Sequence, residues 1–587
     1  MTFVDQAGPE GGVASERRGG ERVGRDAGCG WPLPARVVDH LVLDSPADTR
    51  AYWSSVSLVV AGLFVTKLLP CVDYPQHLAL SDVARRLANP AAPEHASFQL
   101  NYFTYNGLFH FTVAWLSTLL PIELAGRLVV GGSLVAMAAA VVALVRVLRR
   151  PAVHAALFTP VLFSFSVGWG FANYVMATAI AAWALVFVAR AAVRPTVASI
   201  AAVAALGLLC SFAHVLSMLI LCATAAGLAL EAAWRAAAPS TPRGTRLLRA
   251  AACAAAAVAP LAIGCLYCIA VYRQQYEWDP KMYRDPTIEG SSPSIVDKIV
   301  FFSTYATDLY RDGSDQLLLL ASLGLVGWSA MLACKRRRAW DRPREDTPPI
   351  LAPLVVLTVA YFATPMVLVG THLIFPRISQ WAVLGALLAM PRLLDGARTA
   401  RAHACMRWAG LAAGANTVLH CAIFAWETGD ASRIIDDLPP GGAATAVIWG
   451  PETLAFRNGT LTHLAAYYGA RRHGRWAFAF ARYLSVPVRF RPNSQPAWPA
   501  RGWEFDADEY DARCKYARAF PLVIVKAPPE LPPDASSEPL VRERLFTPGE
   551  VACSGGGWRA AQQVKLLSHR GHFWAFDTSG LADDGTF

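Results

Sequence analysis

LAGRLVVGGSLVAMAAAVVALVRV fills positions 124–147 and carries charge only at Arg127 and Arg146, near its two ends. As a helix, a run of about 24 residues would reach ~36 Å, enough to cross the ~30 Å of a bilayer's hydrocarbon. Comparable apolar runs stand at 52–70, 152–168, 172–191, 196–213, 215–235, 249–272, 316–334, 349–370, 379–394 and 407–425. Together they predict about eleven transmembrane helices. Composition agrees: 54% of the 587 residues are hydrophobic and 16% charged, with mean hydropathy +0.34. Soluble domains carry roughly a quarter charged residues.

The net charge of +10 does not imply a nucleic-acid partner, because much of it sits in short clusters between apolar runs. Arg146/Arg149/Arg150, Arg190/Arg194, Arg235/Arg243/Arg246/Arg249, Lys335–Arg338 and Arg392/Arg398/Arg401 all fall on one side if the spans alternate, which makes that side cytoplasmic. The N-terminus is then inside and the C-terminus outside. The parity holds only if 105–120, a short apolar stretch with Asn106 and His110, is an interfacial helix on the outer surface and not a span.

The expected organisation follows. Residues 1–50, rich in Gly and Arg, read as a disordered cytoplasmic tail. Residues 51–426 form an all-α polytopic membrane domain with external loops 71–123 and 273–315. Residues 427–587 form a small extracytoplasmic α/β domain, with strands expected at 445–450 and 520–525 and a helix at 463–472. Most of the twelve Cys lie in apolar runs and read as buried hydrophobes. Cys514 and Cys553 could pair if their region is extracytoplasmic. The first apolar run begins too far in for an ordinary signal peptide and reads as a retained span.

LPCVDYPQHLALSDVARRL, 69–87, directly follows the first span. Asp73 stands at the outer boundary, with His77 four residues on and Asp82 on the same expected helix. One reading makes Asp73 a general base, or half of an Asp73/His77 metal pair on one side of a helical turn. The other makes it a helix cap, with Gln76 completing a capping box and Pro75 in the first turn.

An acid directly after span one, a long external loop with an interfacial helix, the basic span end RVLRR (146–150) and a C-terminal soluble region together resemble the C-type polytopic glycosyltransferases. That superfamily includes protein O-mannosyltransferases and lipid A aminoarabinose transferases. The resemblance covers roughly 50–425. It implies a bacterial cytoplasmic (inner) membrane glycosyltransferase that moves a sugar from a polyprenyl-phosphate carrier to a lipid or glycan acceptor hydroxyl on the outer face. It casts Asp73 as catalytic base or metal partner, leaving a divalent metal ion open. Many members carry a second acid in the next external loop, whereas SVGWGFANY (166–174) offers only Asn173. Glu277, Asp279 and Asp285 in the later loop could substitute, or could simply be solvated.

Arg377, in FPRISQW (375–381), could hold a carrier phosphate with its guanidinium fork or anchor a span end by snorkelling. His214, in CSFAHV (210–215), could face the same cavity. Walker A, GxSxG, HExxH and dinucleotide-glycine motifs are absent from the sequence, which disfavours an ATP-driven pump or a zinc protease. A solute or lipid transporter would place charges at mid-span, and few are found there. A non-catalytic envelope assembly protein is the remaining alternative.

Overall fold

A computed structural model describes residues 43, 45–193, 195–237, 241–278, 293–335, 351–367, 372–390, 397–483, 485–496, 502–512, 515–546 and 564–581. Six helices are long and apolar enough to cross a membrane: Ile122–Val147, Ala172–Ala192, Val215–Ala236, Arg243–Gln275, Ser314–Leu332 and Arg398–Glu427. The chain is a multi-pass α-helical membrane protein. Shorter apolar helices cover Val197–Ala213, Leu351–Ala363 and Ile374–Ala389. The expected span at 152–168 is not one continuous α-helix. It is a 3-10 helix at Ala152–Val161 containing Pro160, followed by the single turn Phe165–Gly168, because proline removes a backbone donor and crowds the preceding turn.

The helices that frame the site are α1 (Pro46–Val65), α2 (Tyr74–Arg86), α3 (Leu108–Leu116), α4 (Ile122–Val147), α5 (Ala172–Val193), α6 (Val197–Ala213), α7 (Val215–Ala236), α8 (Ile374–Ala389) and α9 (Ala397–Glu427). Helix α3 has nine residues and rises about 14 Å, too short to span. Helices α1 and α9 pack in parallel. Asp48 accepts from Arg407 at 2.7 Å. A Cβ on Gly414 would meet Ser55 O at 2.6 Å, and one on Gly62 would meet Cys421 Sγ at 3.2 Å. Contacts thus advance together along both helices, which must cross in the same direction. The glycines permit the close approach that membrane helices use in place of a hydrophobic drive.

Beyond α9 come α10 (Gly429–Asp437) and α11 (Leu464–Arg472) with a mixed five-stranded sheet. Its strands are β2 (Ala443–Ile448), β3 (Arg475–Trp476), β5 (Leu522–Lys526), β6 (Lys565–Arg570) and β7 (Phe573–Asp577), ordered β3-β2-β5-β7-β6. Strands β3 and β5 flank β2 in parallel, and β7 runs antiparallel to both β5 and β6. The buried apolar run AATAVI of β2 suits a central strand covered on both faces.

This region is tied to the first loop at several places. β1 (Phe98–Leu100) pairs antiparallel with β4 (Val488–Phe490), and Leu69 N donates to Tyr467 Oη at 2.8 Å. Buried Asp82 is gripped by Arg85 at 2.7 Å, Arg86 at 2.8 Å and His473 at 3.1 Å. Asp82 therefore clamps α2 to the chain after α11.

Candidate functional site

Asp73 is held first by backbone. Its N–H donates to Trp169 O at 2.9 Å and that of Val72 to Gly168 O at 3.0 Å. Gly170, at φ +78°, lies against this segment so closely that a Cβ would stand 2.4 Å from Tyr74 N and 2.7 Å from Asp73 N. Only glycine accepts both the left-handed backbone and the contact.

Asp73 occupies the N-cap position of α2, but its side chain makes no cap hydrogen bond, so the capping box does not form. Gln76 is engaged elsewhere. Its Oε1 accepts from Trp476 Nε1 at 2.7 Å and Phe480 N at 3.3 Å, and its Nε2 donates to Phe478 O at 3.0 Å. These bonds seat the 476–480 segment on α2 and bring the start of α11 to Asp73. His463 Nε2 lies 3.2 Å from Asp73 Oδ1, and His463 Nδ1 lies 3.0 Å from Glu504 Oε1. Burial alone would depress His463, but Glu504 and Asp73 outweigh it and push it up to about 9. At neutral pH it is an imidazolium between two carboxylates. Among the described residues, Asp73 Oδ2 has no side-chain partner.

His77 shares the first turn of α2 with Asp73, its N–H donating to Asp73 O at 3.2 Å, but its ring turns to His110, with Nδ1 to Nε2 at 3.0 Å. His110 Nδ1 lies 2.9 Å from Asn106 O. That carbonyl can only accept, so His110 carries its hydrogen on Nδ1, His77 donates to His110 Nε2, and a neutral His77 keeps a lone pair on Nε2. Burial pushes His77 well down, helped by the charges of His110, His463 and Arg377, and pushes His110 down to about 4. Asn173 Nδ2 lies 3.4 Å from His110 Nδ1 while its Oδ1 is buried without a partner. Turning the amide over would place the acceptor against that N–H.

Arg377, in the first turn of α8, is buried and reaches the same place. Its guanidinium lies 3.6 Å over the Phe171 ring, donates to His372 O at 3.1 Å and brings Nη1 to 3.3 Å from His214 Nε2. Asp73 is near enough for its charge to act on the guanidinium. His214 caps α7 by accepting from Leu216 N at 3.2 Å through Nδ1. A neutral His214 therefore carries its hydrogen on Nε2, and two N–H donors converge. Arg377 Nε is also buried with no partner among the described residues. Converging buried donors suit an anion.

The donors do not suit a divalent cation. The imidazolium of His463 pairs with Asp73 and the charge of Arg377 also acts there, and His77, with Nδ1 bonded to His110, has only Nε2 left to offer. No group of three or more His, Cys, Asp or Glu able to hold a metal occurs among the described residues.

Asp73, His77, Asn173, His214 and Arg377 thus gather at one place, while Asp82 is placed apart in its ion-pair clamp. Glu277 falls within the helix Ala262–Trp278, but its side chain, like Asp279, Asp285, Cys514 and Cys553, lies outside the described residues. His463, Glu504, His110 and the positioning role of Gln76 were not foreseen. The available signals were His110 in an otherwise apolar run and His463 at the head of an expected helix.

No protein-family model and no curated protein sequence matches the chain. Two solved structures resemble it, both of ArnT from Cupriavidus metallidurans. The form bound to undecaprenyl phosphate has 12% identity and a TM-score of 0.47, covering 91% of this chain and 99% of that one. The apo form has 13% identity and the same TM-score, covering 91% and 98%. Likeness at this level assigns neither family nor activity to the chain.

Proposed function

We propose that the protein is a membrane glycosyltransferase that moves a sugar from a polyprenyl-phosphate carrier to an acceptor hydroxyl at the outer face of the cytoplasmic membrane. One observation carries this reading: Asp73, whose Oδ2 has no side-chain partner among the described residues, acts by its charge on Arg377, which with His214 forms a buried pair of converging donors.

In this reaction the acceptor O–H gives its proton to Asp73 Oδ2 as its oxygen attacks the anomeric carbon. The bond from that carbon to the phosphate oxygen breaks, with inversion. Arg377 and His214 hold the departing phosphate, where charge accumulates. His463, fixed by Glu504, orients Asp73 through Oδ1. A positioned base contributes about 10²- to 10⁴-fold. The helices Ile295–Val300 and Phe302–Ala306 bring the second external loop against α8, where Ser379 Oγ donates to Tyr305 O at 3.1 Å.

A second reading of the base rests on the His77–His110–Asn106 chain, which leaves His77 Nε2 able to accept the proton. Loss of activity in His77→Gln with retention in Asp73→Asn would favour it.

The test is lipid analysis of cells lacking the protein. A polyprenyl-phosphate sugar should accumulate, and purified protein should discharge it onto an acceptor. Unchanged lipid-linked sugars and no discharge would overturn the proposal.

A further inference from the structure

A cleft of about 670 Å³ opens at the far end of α2 from Asp73, between α2, the turn from α3 into α4, and helices α10 and α11. Its carboxylates are already matched. Asp82 is held by Arg85, Arg86 and His473. Glu123 is bound by Arg471, which also reaches Asp436 at 3.4 Å. Lys67 and Arg127 are left over.

Lys67 lies two residues past the end of α1, and Arg127 lies in the second turn of α4. Arg127 donates to Lys67 O, which holds the two cations together where one helix leaves the bundle and the next enters. Neither meets a carboxylate among the described residues. The adjoining wall is apolar, formed by Leu120, Pro121 and Ile122. That surface continues outward through Leu119, Leu124 and Leu128, which are exposed by 76%, 37% and 42%.

We propose that this cleft binds the phosphate-bearing headgroup of an anionic membrane lipid, with Lys67 and Arg127 on the phosphate and an acyl chain along Leu124 and Leu128. Unmatched cations beside a lipid-facing apolar strip favour an amphiphile over a soluble anion, because both halves of the ligand then find partners. The cleft is of ordinary ligand size. The proposal does not depend on the reaction assigned to Asp73.

Native mass spectrometry of the full-length protein tests it, with phosphatidylglycerol, phosphatidylcholine and glycerol 3-phosphate as probes. Phosphatidylglycerol should bind in preference to phosphatidylcholine. Lys67→Gln, which breaks no side-chain hydrogen bond among the described residues, should weaken it about fivefold, and Lys67→Gln/Arg127→Gln roughly 25-fold. Asp73→Asn should bind phosphatidylglycerol as the wild type does. Equal binding of the two lipids, or a correctly folded Lys67→Gln variant with unchanged preference, would overturn the proposal. Glycerol 3-phosphate binding as tightly as the lipid would also overturn it, by making this a soluble-anion site.

Discussion

His463 Nε2 stands 3.2 Å from Asp73 Oδ1 and ties a carboxylate just beyond the first helix to the C-terminal region. With Glu504 at 3.0 Å on the other ring nitrogen, the imidazole restrains Asp73 through Oδ1 and leaves Oδ2 without a side-chain partner among the described residues.

That arrangement gives stability a pH signature. His463 is raised from 6.5 to about 9 on folding, so its contribution is complete below pH 6.5 and disappears as pH rises through about 9. His110, pushed down to about 4, acts in the opposite sense: its contribution is present above pH 6.5 and lost as pH falls through about 4. Melting temperature in detergent should therefore decline on the alkaline side in wild type and stay flatter in His463→Gln. A His463→Gln variant with the same alkaline decline would refute the assignment.

Gly170 supplies a mechanical check. Gly170→Ala forces a Cβ against the backbone of Asp73 and Tyr74 at a positive φ, at a cost of about 1–3 kcal/mol or a shift of Asp73. Lower melting temperature or lost transfer is expected. A variant equal to wild type in both would show that the turn is not needed.

Arg377→Gln should lower kcat/KM for the carrier substrate by about 10²–10³, because the leaving phosphate loses its main counter-charge. Arg377→Lys keeps the charge but not the planar fork and should recover only part. Full recovery would mean that geometry is unimportant there.

Orientation is testable with periplasmic reporters. Fusions at Trp426 and Phe587 should be active and fusions near Arg337 inactive. The reverse pattern would put Asp73 on the cytoplasmic side.

The helices were legible because the length and apolarity of a run are local properties, as 124–147 shows against the observed Ile122–Val147. Asp73 and Arg377 stood out as charges abutting apolar runs. Asp73 and His77 do share the first turn of α2, with His77 N–H donating to Asp73 O at 3.2 Å, but their side chains take different partners, His463 and His110, which spacing alone does not reveal. His463 and Glu504 were invisible as partners. What brings them to Asp73 is the bonding of Gln76 to the 476–480 segment and the pairing of β1 with β4, long-range contacts with no local pattern.

The most direct measurement is the transfer rate of Asp73→Asn. Asn is nearly isosteric and no cap hydrogen bond is lost, because the Asp73 side chain makes none. Insertion should survive and melting temperature should fall only as far as His463 loses one charge partner, while the proton acceptor is removed. The account predicts normally inserted protein whose transfer rate falls by about 10²-fold or more. Transfer at near wild-type rate by that variant would contradict Asp73 as the base.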